Sequence, residues 1–181
     1  MKPVIVLVTG PPGTGKSTLA EHAAGLLGAP VLGWDWVMGA LTPFDQVRVA
    51  LKTMDPEVYR RVGWSLLWNL TVAQIRNGRS VVLDGVARDT ETTETRSVVE
   101  GYGVCFVIET SCNDREVHRR RIEGRQRQIP GWHELDWDHV QSRLNEWKPI
   151  RDVDLHVDTT LSVDESRAQI TRLLHLGAEK S

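Results

Sequence analysis

One short stretch limits what this chain can become more than any other. Gly10-Pro11-Pro12-Gly13-Thr14-Gly15-Lys16-Ser17-Thr18 lies between an apolar run, Val4 to Val8, and a segment of helical periodicity. Gly10, Gly15, Lys16 and Ser17 meet the pattern G-x-x-x-x-G-K-[ST] in the strand–loop–helix context that gives it meaning. Gly13 and Gly15 let backbone N–H groups approach phosphate oxygens with no Cβ in the way. The helix that follows adds its unpaired N–H groups and positive dipole end. In such a loop Lys16 reaches the β- and γ-phosphates, the Ser17 hydroxyl is a Mg²⁺ ligand, and Thr18 is placed to touch the α-phosphate. A glycine-rich turn that merely joins a strand to a helix would not need every fixed position filled.

The 181 residues suit one domain, 1–181, with a sizeable core. With 22 basic and 24 acidic side chains the net charge is −2, which argues against broad electrostatic binding to nucleic acid. The only two cysteines, Cys105 and Cys112, form neither a disulfide framework nor a metal quartet, so a reduced, cytoplasmic setting is expected. The N-terminal run carries one lysine and passes directly into the loop, so neither a signal peptide nor a membrane span is expected there.

After the loop, Leu19, Ala23, Leu26 and Leu27 mark an amphipathic helix that Gly28 should end. A short strand, Pro30 to Leu32, leads to Gly33-Trp34-Asp35-Trp36, an acid between two tryptophans. Ligands of open α/β sheets lie beyond the carboxyl ends of the strands, so Asp35 should face the crevice of the phosphate loop and act as a general base. Capping of the next helix is the plainer use of an Asp there. Trp34 and Trp36 are candidates to line the acceptor pocket. Pro43 to Arg76 reads as two helices, the second starting at Pro56, with Trp64 and Trp68 one turn apart on a buried face.

Ser80 to Gly85 is a continuous apolar strand ending in an acid, the form of a Walker B strand, and Asp84 is the second candidate metal ligand. Arg88 follows and is either an acceptor contact or a solvated loop residue. Gly103 to Glu109 is the next buried strand, and the helix after it carries a run of arginines from Arg115 to Arg127. Arg121 and Arg125, one turn apart, are expected to share a helix face and project over the phosphate loop, where arginines neutralise charge on a migrating phosphoryl group. Residues 115–137 would form a lid, with Gln126 to Trp137 its mobile part. A solvated helix or a nucleic-acid patch is the alternative for such a run. Trp132 to His139 lacks the spacing of a zinc site, and Asp136 reads as the cap of a helix through Val140 and Leu144. Asp152 to Asp158 alternates as an edge strand does, and Val163 to Leu176 closes the chain as a helix.

Five strands alternating with helices imply an α/β fold, a parallel sheet in a three-layer arrangement. Taken together, Gly10 to Thr18, Val81 to Gly85 and Arg121-Ile122-Glu123-Gly124-Arg125 resemble the P-loop kinases, and more narrowly the small kinases related to polynucleotide kinase, gluconate kinase and the chloramphenicol phosphotransferases. The resemblance implies the P-loop NTPase fold with sheet order 2-3-1-4-5, an arginine-bearing helical lid, ATP and Mg²⁺ as cofactors, and Asp35 as the base that activates the acceptor hydroxyl. Where polynucleotide kinases often carry a second acid or an arginine soon after that base, this chain has Trp36, Val37 and Met38. That apolar surround suits a small organic acceptor better than a phosphodiester chain.

The expected function is therefore ATP-dependent phosphoryl transfer to a hydroxyl of a small molecule. Lys16, Asp35, Arg121 and Arg125 are the expected catalytic groups, Ser17 and Asp84 the metal ligands, and Trp34, Trp36 and Arg88 the acceptor contacts. A 5′-hydroxyl polynucleotide or nucleotide kinase is the enzymatic alternative. A nucleotide-binding regulatory ATPase is the alternative of another class.

Overall fold

The computed structural model describes residues 2–178. Its sheet has five parallel strands in the order β2-β3-β1-β4-β5. They are β1 (Val4–Thr9), β2 (Val31–Gly33), β3 (Val81–Asp84), β4 (Val104–Ser111) and β5 (Leu155–Asp158). The continuous apolar character of β1 has a direct cause, because its two faces enter two different cores. Val6 and Val8 pack with Leu19, Ala20 and Ala23 of α1 (Lys16–Leu27) and with Ile170 and Leu174 of α8 (Val163–Ala178). Leu7 packs on the opposite face with Trp64 and Leu67 of α4 (Pro56–Ile75), alongside Val81, Leu83 and Val107. A strand covered on both sides has no solvated face on which polar residues could alternate.

Local signals explain most element ends. Asp55 caps α4 by accepting from the N–H groups of Glu57 and Val58 at 2.9 and 3.2 Å, with Pro56 in the first turn. Asp114 does the same for α6 (Arg115–Glu123), and Asp136 caps α7 (Trp137–Glu146) through the His139 N–H at 2.8 Å. The remaining helices are α2 (Trp34–Gly39), α3 (Asp45–Thr53) and α5 (Asp89–Val99). The last strand is shorter than its alternation predicts. Asp154 still donates its backbone N–H to Val107 O at 2.8 Å, but its carboxylate takes the Val107 N–H at 2.7 Å and Arg96 at 2.8 Å, so the regular ladder begins only at Leu155. Trp64 is fully buried, and the Trp68 indole donates to Thr95 Oγ1 at 3.0 Å, so this pair serves the core as expected. Among the described residues, no helix is long and apolar enough to cross a membrane.

The register decides where the chemistry lies. Val8 and Gly33 both pair with Asp84, so the carboxyl ends of β1, β2 and β3 are level. The phosphate loop, Asp84 and the first turn of α2 consequently share one edge of the sheet.

Candidate active site

The loop from Gly10 to Gly15 wraps the start of α1, with Gly13 and Gly15 both at φ 81°. These angles are ready for glycine and strained for other residues. The back of the loop is braced rather than open. Thr14 Oγ1 donates to Pro11 O at 2.8 Å and lies 2.6 Å from Thr110 Oγ1, while His118 Nε2 of α6 is 2.7 Å from Pro12 O. Gly10, Pro11 and Thr14 therefore shape the loop from behind, and Gly13, Gly15, Lys16, Ser17 and Thr18 line the open side.

Two adjoining cavities open along this edge. The larger, about 490 Å³, is bounded by the front of the loop, Glu21, Arg121 and Thr159. The smaller, about 90 Å³, is bounded by Trp34, Asp35, Asp84, Gly85 and Trp132. Lys16, Ser17, Trp36, Arg125 and Arg127 line both, so they stand at the junction. Asp35 is not the helix cap that its position allowed. Gly33 occupies that place, and Asp35 sits in the first turn of α2, where it lines the smaller cavity.

The arginine segment differs from expectation. Helix α6 stops at Glu123, with Gly124 as its cap, so Arg121 and Arg125 do not share a helix face. Arg121 turns toward β5 and donates from Nη1 and Nη2 to Thr159 Oγ1 and O at 2.9 and 2.7 Å. Arg125, released from the helix, enters the junction. Arg127, which sequence reasoning did not single out, forms an ion pair from Nη1 to Asp35 Oδ2, and its backbone N–H donates to Glu134 Oε1 at 2.7 Å. The apolar surround predicted for Asp35 is therefore only half the wall, because the segment after α6 brings two guanidinium groups against it. Arg88 is exposed, caps α5 with its N–H on Glu91 Oε2 at 2.8 Å, and lines neither cavity. Trp34 stands edge-on to Tyr59 and to Trp132, at 5.5 and 5.6 Å, while Trp36 is 57% exposed at the larger cavity.

Burial, modulated by neighbouring charges, sets the electrostatics. Burial pushes the Lys16 ammonium down to about 8, with Arg125 and Arg127 adding to the shift against the pull of Asp84 and Asp35. Nζ meanwhile rests on Pro11 O at 2.8 Å. Burial raises the Asp84 carboxyl above the ordinary range, opposed by Lys16 and by the Ser17 hydroxyl. Burial, then Arg127, lowers Arg125. Lys16, Arg125 and Arg127 thus converge on the junction, faced by the carboxylates of Asp35 and Asp84 and, beside Arg127, of Glu134. Ser17 Oγ donates to Asp84 Oδ2 at 2.7 Å. This hydroxyl–carboxylate pair is an all-oxygen donor set suited to Mg²⁺, which needs few protein ligands and keeps several waters.

A phosphate-loop motif, an acid at the end of β3 and sheet order 2-3-1-4-5 define a P-loop α/β protein with the fold of the small P-loop kinases. The chain belongs to the AAA domain family, whose profile matches residues 5–147. A gluconokinase from Sinorhizobium meliloti 1021 superposes with a TM-score of 0.69 at 20% identity, covering 99% of this chain and 98% of that one. The APS kinase of Mycobacterium tuberculosis, solved with AMPPNP and APS, superposes with a TM-score of 0.66 at 18% identity, covering 96% and 98%. Both are likenesses of fold. An uncharacterized protein of Mycobacterium tuberculosis H37Rv is 35% identical over 89 residues, 47% of this chain. The matched stretch spans only 18% of that relative's length.

Proposed function

We propose that the protein is an ATP-dependent phosphotransferase that moves the γ-phosphoryl group to a hydroxyl of a small-molecule acceptor, with 1–181 acting as one kinase domain and 115–137 as its lid. The observation that carries this reading is the pair of adjoining cavities with Lys16, Arg125 and Arg127 at their junction. A donor compartment and an acceptor compartment meeting at a cluster of cations suit transfer between two bound molecules, whereas a nucleotide switch needs only the first.

In this reading the larger cavity takes ATP, its phosphates on the loop and its far end toward Arg121 and Thr159. The acceptor hydroxyl sits beside Asp35. Its oxygen forms the new bond to Pγ as the bond from Pγ to the β–γ bridging oxygen breaks, ADP leaves with that electron pair, and the hydroxyl proton passes to the Asp35 carboxylate. Lys16 and Arg125 hold the charge of the migrating group, and the lid over them keeps water out. Mg²⁺ held by Ser17 and Asp84 would offset charge on the β- and γ-phosphates. A 90 Å³ acceptor cavity favours a small molecule over a nucleic-acid strand.

The test is transfer of labelled γ-phosphate from ATP to a panel of nucleosides, oligonucleotides, sugars and hydroxy acids, with Asp35→Asn alongside. Asp35→Asn should keep ATP binding and lose transfer by roughly 10²–10⁴-fold. Release of label only as free phosphate, unaffected by Asp35→Asn, would turn the assignment to a regulatory ATPase.

A further inference from the structure

The acceptor cavity carries hydrogen-bond donors that the protein leaves unanswered. Buried polar nitrogens without a partner include Nε and Nη2 of Arg127 and Nε1 of Trp132. Both residues line the small cavity beside Asp35. Among the described residues, the other such nitrogens belong to Arg60, Trp64 and Arg96, none of which lines either cavity. Each unanswered buried donor carries a desolvation cost that a bound acceptor atom removes. Arg127 has one donor on Asp35, while its Nε stands 3.6 Å from Glu134 Oε2, beyond a hydrogen bond.

Resting on the phosphotransferase reading, we infer that the acceptor is an alcohol that also bears a compact oxyanion, a carboxylate or a phosphate, and that Arg127 and Trp132 recognise it. Chemistry and size agree. All three free groups are donors, so they call for an acceptor-only ligand group, and a guanidinium edge takes an oxyanion in fork geometry. The cavity has room for a short chain with one such group. The pairing of Arg127 with Asp35 also ties recognition to the proposed base. An oxyanion that draws the guanidinium onto itself loosens the Asp35 carboxylate for the hydroxyl proton, so a neutral alcohol of the same shape would meet a base still held in an ion pair.

The first experiment needs no turnover. In ¹⁵N-labelled protein, the Trp132 indole N–H resonance, assigned with Trp132→Phe, is followed during titration with glycerate, glycerol 3-phosphate and glycerol, and then with gluconate, glucose 6-phosphate and glucose. A saturable shift with a carboxylate or phosphate member, absent with its neutral partner and lost in Arg127→Gln, is expected. Comparison of the carboxylates with the phosphates identifies which oxyanion is read. No Trp132 shift with any of the anions overturns the inference. So does a shift produced by AMPPNP alone that the anions neither extend nor compete with, since the free nitrogens then serve the transferring phosphoryl group. In steady-state transfer, the anionic acceptor should exceed its neutral partner by about 100-fold in kcat/KM, and Arg127→Gln should erase that preference mainly through KM. Equal use of charged and neutral alcohols would sink the inference and leave the phosphotransferase standing. Anion binding dependent on Arg127 without any transfer would do the reverse.

Discussion

Loading the phosphate loop should draw a proton onto Lys16. In the free protein, burial and two nearby guanidinium groups hold this ammonium at about 8 instead of 10.5. A triphosphate beside Nζ supplies the negative charge that the site lacks, returning the group toward its ordinary value. The sign then follows from proton counts. At pH 9 the free site holds about 0.1 proton and the loaded site nearly one, an uptake of about 0.9, whereas at pH 7.5 the uptake is only about 0.2. Because the bound state holds more protons, affinity falls as pH rises between about 8 and 10.5. The fall approaches tenfold per pH unit and totals about 3 kcal/mol across the window. The assay is isothermal titration of ATP in buffers of different ionisation enthalpy at pH 7.5 and 9, where the slope of observed heat against buffer enthalpy counts protons. Lys16→Arg, which stays charged across this range, should remove most of the uptake. An uptake that is equal at the two pH values, or unchanged in Lys16→Arg, would refute the reasoning, because some other group would then be titrating.

The same geometry makes further predictions. Asp84→Ala should abolish the part of ATP-induced thermal stabilisation that depends on Mg²⁺. In the wild type that part should fade on acidification at a pH above the ordinary carboxylate range, because burial raises the folded-state value, so protonation competes with the metal early. Thermal shifts with ATP, with and without Mg²⁺, check both statements, and full Mg²⁺ dependence in Asp84→Ala would dismiss Asp84 as a ligand. For the apo protein the sign is opposite: the folded state binds more protons than the unfolded one between 3.8 and the raised value, so this group adds stability as pH falls through that window. Trp64→Ala should cost about 3–5 kcal/mol by urea denaturation, since the ring is fully buried where α4 packs on the sheet and lies 6.1 Å from Trp68. A loss below about 1 kcal/mol would mean that the core refills around it.

Legibility in the sequence divides along range. Val4 to Thr18 carries its own explanation, since the strand, the glycines and the helix start are adjacent in the chain and each is specified locally. The same holds for Asp55-Pro56 and Asp136 as helix starts. Gly124 was a readable stop signal, and giving it weight would have freed Arg125 from the helix. Arg88 went the other way. A basic residue just past a Walker B strand invites a contact with the ligand, but the turn into α5 aims its side chain outward.

The amino-acid sequence alone determined that a glycine-rich loop would join the first strand to the first helix, that a doubly covered parallel sheet would support it, and that Asp35 and Asp84 would stand at its carboxyl edge. Each of those depends on residue types over a few positions and on the period of a strand or a helix. Only the tertiary structure decided which cation meets the acid. Asp35 and Arg127 are 92 positions apart, and their pairing depends on how the α6–α7 segment folds back over the loop. Ile122, Trp137 and Val140 bury one another to anchor that segment, and Thr42 Oγ1 ties it to α2 through Gly131 O at 3.0 Å. Long arginine side chains can adopt many directions from any backbone, so their destination is a property of the packed whole.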